Sequence, residues 1–206
     1  MASCTTRRRS FRPRSRRPVD MSLIDNTMDI RTARLHLRPP HASDADRLYA
    51  LFNNWAVIRW LDSPPWPYTQ EHACSFIRER GKPDPAFITA AIILDDALIG
   101  MIDAILKPAS AIQRECGFSI GYWIGQPYWS GGYMSEAARG FIAYVFTTIP
   151  DETIFSGAFA DNAASLRIQE KLGFVRDGEA MSFSNPHGKD VLHVNTSLTR
   201  RRFVGA

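Results

Sequence analysis

The chain has 206 residues, of which 45% are hydrophobic and 22% charged. That is enough apolar material for one ordinary domain and excludes wholesale disorder. The longest apolar stretches, Ala86–Leu94 and Phe141–Phe146, fall well short of the ~18–20 residues that span a bilayer, so a soluble, cytoplasmic protein with no membrane partner is expected. Cys4, Cys74 and Cys116 are odd in number and scattered, with no CxxC and no Cys/His cluster. They argue against a disulfide framework and a zinc site, and fit a reducing compartment.

Charge is unevenly spread. The first 20 residues hold seven arginines against Asp20 alone, a net +6, so residues 21–206 sum to −2 within the overall +4. Residues 1–24 are therefore expected to be a basic, disordered arm, and residues 25–206 a single domain. Such an arm can contact nucleic acid or act as a targeting peptide. Arg8-Arg9-Ser10-Phe11 resembles a twin-arginine signal, but no apolar segment follows it. The plainer expectation is that Met21 is the true start. No function is assigned to the arm, and nucleic acid is not an expected partner.

In chain order, Ile30–Arg38 alternates and stops at Pro39-Pro40, which predicts a first strand. Ser43 is placed to cap a helix carrying Leu48, Leu51 and Phe52, and Thr69 to cap one running to Arg80. Ala86–Leu94 and Leu98–Leu106 read as strands around an Asp95-Asp96 turn, with Gly117–Ile124 as a third. A Gly-rich bend at Gln126–Gly132 leads into a helix to about Thr147, with Met134, Ala137, Phe141 and Val145 on one face. Thr153–Ala160 predicts a strand, and Asn162–Leu172 a helix closed by Gly173. Strands at about Phe174–Met181 and Val191–Thr199 finish the chain. The fold class is α+β: a mainly antiparallel twisted sheet of about 6–7 strands with helices on both faces.

Chemistry concentrates in two segments. In QPYWSGGYMSE, a strand ends, glycines let the backbone turn, and a helix begins with unpaired N–H groups, an arrangement suited to phosphate. No Lys-Ser/Thr follows the glycines and no GxGxxG is present, which excludes a P-loop and leaves a Rossmann site poorly supported. In NAASLRIQEKLGF, Asn162 is an N-cap or a ligand contact, and Arg167 and Lys171 share a helix face.

Together these segments resemble the GCN5-related N-acetyltransferase (GNAT) superfamily. FSIGYWI, RTARLHLRPP and PPWPYTQEHACSFI are similar to its ribosomal-protein N-terminal acetyltransferase branch, and the likeness runs from about Ile30 to Thr199. It implies a sheet with splayed strands at an acetyl-CoA site. Backbone N–H groups of Ser130, Gly131, Gly132, Tyr133 and Met134 would hold the pyrophosphate, with Trp129 beside them. Trp123 and Ile124 would pair with the pantetheine amides, and Asn162 would bond the same arm. Ser165 would return a proton to the departing thiolate, and Arg167 and Lys171 would neutralise phosphate. No metal is implied.

Three positions depart from the family pattern. The loop's usual first glycine is Ser130, a frequent tyrosine acid is Gln169, and a frequent glutamate is Ser119. No base is therefore identified. Glu115, Asp103 and His72 are candidates through water, while Cys116 is a poor nucleophile with no histidine placed beside it. Trp55, Trp60, Trp66 and Tyr68 either wall the acceptor site or pack the core.

Expected function is transfer of acetyl from acetyl-CoA to a primary amine, by direct attack. The acceptor is a protein or peptide N-terminus or a small amine. At pH 7 an α-amine is roughly a tenth neutral and a lysine only a few parts in ten thousand, a difference of about 3 kcal/mol, so a site without an evident carboxylate base suits the α-amine. The alternative is a non-catalytic acetyl-CoA-binding module acting through a partner, favoured by Gln169 and Ser119. A homodimer is compatible with either.

Overall fold

The computed structural model describes residues 28–82, 84–110, 113 and 115–204. The basic arm expected at residues 1–24 lies outside them. Strands β1 (Ile30–Arg31), β2 (His36–Arg38), β3 (Phe87–Leu94), β4 (Ala97–Lys107), β5 (Gly117–Ile124), β6 (Thr153–Phe159), β7 (Val175–Ser184) and β8 (Lys189–Thr199) form one sheet. Their order is β1-β2-β3-β4-β5-β6-β8-β7. Every neighbouring pair is antiparallel except β5 and β6. Helices α1 (Ala45–Phe52), α2 (Trp55–Ile58), α3 (Gln70–Arg80), α4 (Tyr133–Thr148), α5 (Ala163–Lys171) and α6 (Arg200–Val204) complete the described fold.

The eighth strand arises because the single strand expected at Ile30–Arg38 is two. Thr32 N donates to the Leu35 carbonyl at 2.9 Å, and the Thr32 hydroxyl accepts from Leu35 N at 3.0 Å. That tight turn reverses the chain, so Ile30 pairs back onto Leu37. A second expectation also changes. Asp44, not Ser43, organises the start of α1: its carboxylate accepts from both terminal nitrogens of Arg38 at 2.8 Å and from His41 N at 2.7 Å. Thr69 and Asn162 cap α3 and α5 as expected, accepting from His72 N and Ser165 N. The Asp95-Asp96 turn holds both residues at positive φ, 47° and 61°.

Two cores lie on opposite faces of the sheet. On one, the α4 face of Met134, Ala137, Phe141 and Val145 packs against Leu37, Ile92, Ile102, Phe118 and Ile120. On the other, α1–α3 bury Leu48, Phe52, Val57 and Ile77 against Ala91, Leu98 and Met101, with Trp123 at the margin. Alternation along the strands feeds both cores at once. Between β5 and β6 the ladder is reduced to one register pair, Ser119 with Phe155, although β5 pairs with β4 along its whole length. The Ser156 hydroxyl takes the Ile120 carbonyl at 2.9 Å. Beyond that point the two strands part, and the sheet is split.

Candidate active site

A cavity of about 730 Å³ occupies the split and is lined by residues from both faces of the sheet. On the α4 side it is bounded by the turn before that helix. Ser130 and Gly132 both take left-handed backbone, φ 63° and 77°. Gly132 is the N-cap of α4, and no side chain caps the helix. The first N–H groups of a 16-residue helix therefore point into the cavity mouth, a ready anion site.

The turn is held in place from three directions. Arg34 Nε donates to Glu136 at 2.7 Å, and Arg34 Nη1 donates to the Gly131 carbonyl at 3.0 Å. The same guanidinium lies 4.4 Å over the Tyr133 ring. Thr32 Oγ1 and Arg34 N both donate to the other oxygen of Glu136. Arg47 reaches the Tyr128 hydroxyl from α1, and Asn54 reaches Gln126 from beside α2.

Across the split from this turn, α5 presents Asn162, Ser165, Arg167 and Lys171 to the cavity. The Ser165 hydroxyl lies 2.9 Å from the hydroxyl of Tyr122 on β5. Gln169, only 1% exposed, donates to Ser165 Oγ and to the Gly157 carbonyl and accepts from Thr196. Its amide thus fixes the serine oxygen as an acceptor on that side. Burial raises the Tyr122 phenol above its usual value, with partial offset from Ser165 and Gln169.

The opposite face contributes Trp60, Asp62, Phe159 and His193. The His193 ring lies against Gly157, where a Cβ would fall 2.2 Å from its Cε1. Its Nδ1 is 2.9 Å from Asn195 Oδ1. Burial lowers the His193 pKa, Asn195 and the Asp62 carboxylate raise it, Lys107 lowers it, and the balance is downward. Asp103 sits on β4 in register with Gly121, whose N–H it accepts. Burial raises its carboxyl to about 6, against the opposing effect of Arg80, Lys107 and that N–H and with a small push from Asp62.

An acetyltransferase (GNAT) domain family matches residues 34–175. The chain belongs to the GNAT acetyltransferase family. A Bacillus licheniformis protein named "Uncharacterized N-acetyltransferase p20" is 25% identical over 187 residues, covering 84% of this chain and 97% of that one. Among solved structures, the ribosomal-protein-S5-alanine acetyltransferase of Vibrio fischeri superposes with a TM-score of 0.71 at 18% identity, covering 85% of this chain and 98% of that one. The microcin C7 self-immunity acetyltransferase MccE, solved with acetyl-CoA and AMP, gives 0.67 at 19% identity over 81% and 93%. The fold is that of these neighbours.

In this acetyltransferase, Trp123, Ile124, Trp129, Ser130, Gly132, Tyr133, Met134, Asn162, Ser165, Arg167 and Lys171 all line the one cavity. Gly131 is not among the lining residues; its carbonyl instead anchors Arg34. The Ile124 carbonyl already accepts from the Trp129 indole at 2.8 Å, and the Asn162 side-chain oxygen is taken by Ser165 N. Ligand contact at these two residues therefore falls to a second carbonyl lone pair and to the Asn162 amide nitrogen.

The proposed bases separate. His72 is the reciprocal partner in the α3 cap and Glu115 is exposed, and neither lines the cavity. Asp103 lies behind Gly121. Of the aromatics, Trp60 lines the cavity, Tyr68 is buried against Phe52, and Trp55 and Trp66 pair at the surface with ring centroids 5.3 Å apart. Cys116 is exposed and away from the lining. Tyr122 and His193 also line the cavity, without a local sequence signal. Tyr122 reads as one more apolar residue of a strand, and His193 reaches the cavity only through the β6-β8 pairing. Among the described residues no helix is long and apolar enough to cross a membrane, and no group of His, Cys, Asp and Glu is arranged to hold a metal.

Proposed function

We propose that this acetyltransferase moves the acetyl group of acetyl-CoA onto a primary amine in the cytoplasm, with an N-terminal α-amine as the favoured acceptor. The observation that carries this is one cavity joining an uncapped helix N-terminus to a split sheet, with the Ser165–Tyr122 hydroxyl pair at the split. The residues present fit acetyl-CoA. Free N–H groups at Tyr133 and Met134, with Arg167 and Lys171 opposite, suit a pyrophosphate. Acetyl-CoA supplies an activated acyl group on a thiol leaving group.

The protein's own part is positional and protonic. Attack by a neutral amine forms the N–C bond as the C–S bond breaks, and sulfur leaves with the electron pair. The Ser165 hydroxyl then donates to that sulfur, and Tyr122 donates to Ser165 in turn, which replaces the acid absent at Gln169. A raised phenol pKa keeps Tyr122 protonated and ready to donate. Asn162 holds the start of α5, and so Ser165, at the split.

The α-amine is favoured by Ser119, which stands where relatives often carry a glutamate base, and by the likeness to the Vibrio fischeri ribosomal-protein-S5-alanine acetyltransferase. The test is thiol release from acetyl-CoA with N-terminal peptides, polyamines and aminoglycosides as acceptors. Turnover on the peptides, with Ser165→Ala lowering kcat more than acetyl-CoA affinity and Asn162→Ala weakening catalysis, is the expected result. Silence across all three classes with acetyl-CoA still bound would favour the non-catalytic module, to which the buried, fully engaged Gln169 is equally suited.

A further inference from the structure

We propose that His193 is the catalytic base of this site, taking the proton of the acceptor amine on its Nε2 atom from the face of the sheet opposite Ser165. The inference rests on the acetyl-transfer reading above and adds the group that the reading lacks.

Four observations converge on the ring. His193 lines the cavity together with Phe159 and Asp62. Gly157 has no side chain, and any Cβ there would occupy the ring's place, so the ring lies against the β6 backbone at the split. The Gly157 carbonyl is in turn the acceptor for Gln169, which also holds Ser165, so His193 and Ser165 are referenced to the same peptide from opposite sides. Asn195 is buried, and its side-chain oxygen accepts from Nδ1. An amide oxygen can only accept, so that bond puts the ring proton on Nδ1 and leaves Nε2 as the nitrogen able to take a proton, the arrangement a base requires.

The surrounding charges are compatible with a neutral ring. Asp62, from the segment after α2, favours the imidazolium, while Lys107 at the end of β4 and burial oppose it. Asp161 lines the same cavity, and Asp103 lies beyond Gly121. With the downward balance, the ring is neutral at pH 7 and able to accept a proton. The proton balance is then complete. One amine proton goes to His193, the nitrogen joins the acetyl carbon, and sulfur leaves and is protonated from Ser165 and Tyr122. Before the next cycle the imidazolium gives its proton to water, and the Tyr122–Ser165 pair takes one back from water.

The experiment uses the full chain, with acetyl-CoA and a synthetic peptide bearing a free N-terminal alanine. His193→Gln should lower kcat/KM by about 100-fold or more, within the range for loss of a positioned base. Acetyl-CoA binding by calorimetry and the thermal midpoint should change little. The acidic limb of the kcat/KM profile should vanish in His193→Gln, and added imidazole should restore part of the rate in His193→Ala. A His193→Gln enzyme within threefold of wild type, or a His193→Ala enzyme that imidazole leaves unchanged, would overturn the assignment. Nitrogen-15 spectra of the His193 ring decide independently of turnover. A neutral ring protonated on Nδ1 at pH 7 supports it; an imidazolium, or a proton on Nε2, refutes it. A wild-type enzyme inert with the peptide would count against the α-amine reading alone, and the spectra would still judge His193.

Discussion

At Ser130 the backbone sits at φ 63°, a left-handed conformation in a residue that carries a Cβ. Such a residue costs about 1–2 kcal/mol relative to glycine in the same conformation. Ser130→Gly removes that strain but loosens the unfolded chain by about 0.4–1 kcal/mol, so a net gain of roughly 0.5 kcal/mol is expected. In a chain of this size that is a rise of about 1–2 °C in thermal midpoint. If the hydroxyl donates to phosphate, acetyl-CoA affinity should fall by about threefold in the same variant, because one hydrogen bond contributes about 0.5–1.5 kcal/mol. A lower midpoint would show that the turn is not strained. Tyr122→Phe isolates the other special hydroxyl without altering ring packing. It should lower kcat by about 10-fold through loss of the proton source behind Ser165, with acetyl-CoA affinity unchanged, as single-turnover rates and calorimetry would report. An unchanged kcat would return the acid role to Ser165 and solvent.

The turn ahead of α4 depends on a segment almost 100 residues earlier in the chain. Glu136 gathers Thr32 Oγ1, Arg34 N and Arg34 Nε, and Arg34 passes on to the Gly131 carbonyl. Arg34→Ala should therefore raise the KM for acetyl-CoA by about 10-fold, on the order of one charge-assisted bond, with a smaller effect on kcat. Burial would raise the Glu136 carboxyl, but the Thr32 and Arg34 interactions outweigh it and its pKa is lowered. The clamp is thus complete above the ordinary glutamate range and is lost only as pH falls through the lowered value. Acetyl-CoA affinity measured from pH 8 down to pH 5 should show no inflection from this group, and one near pH 5 would contradict the clamp. Sequence made parts of this element legible and hid others. The Gly-rich turn, the α4 apolar face and the Asn162 and Thr69 caps depend on spacing within a single element, and each is visible in the chain. The reversal within Ile30–Arg38 is made by the local Thr32–Leu35 turn, but alternation alone masks it, and the Glu136 contacts that hold Thr32 and Arg34 are long-range. His193 is hidden for the same reason, because register with Phe159 on β6 and the bare Gly157 backbone decide where its ring lies. Tyr122 was visible as a strand residue, but not as the partner of a hydroxyl 43 residues away.

Across the whole molecule, the split sheet gives one cavity two walls, and on the proposed reading each receives one substrate. The α4 and α5 side carries the uncapped turn before α4 and the hydroxyl pair, while the α1–α3 side carries Trp60, Asp62 and His193. Gly157 is the point where both sides touch one peptide. A Cβ there would meet His193 Cε1 at 2.2 Å and the Val194 carbonyl at 2.5 Å, and the second of these is backbone that cannot swing away. Gly157→Ala should destabilise by about 1–3 kcal/mol and lower turnover, whereas an adjacent change on the outer surface should do neither. The proposed direct attack also predicts a kinetic order. Cys116 is exposed and outside the cavity, and the Ser165 oxygen accepts from Gln169, so neither is poised as an acyl carrier. On the proposed direct attack, acetyl passes between two substrates that occupy the split together, without a covalent acetyl-enzyme. Initial rates with acetyl-CoA varied at several peptide concentrations should give intersecting reciprocal lines, and Cys116→Ala should retain full turnover. Parallel lines, or an acetylated protein trapped without acceptor, would mean that a nucleophile intervenes and that the two faces act in succession instead of at once.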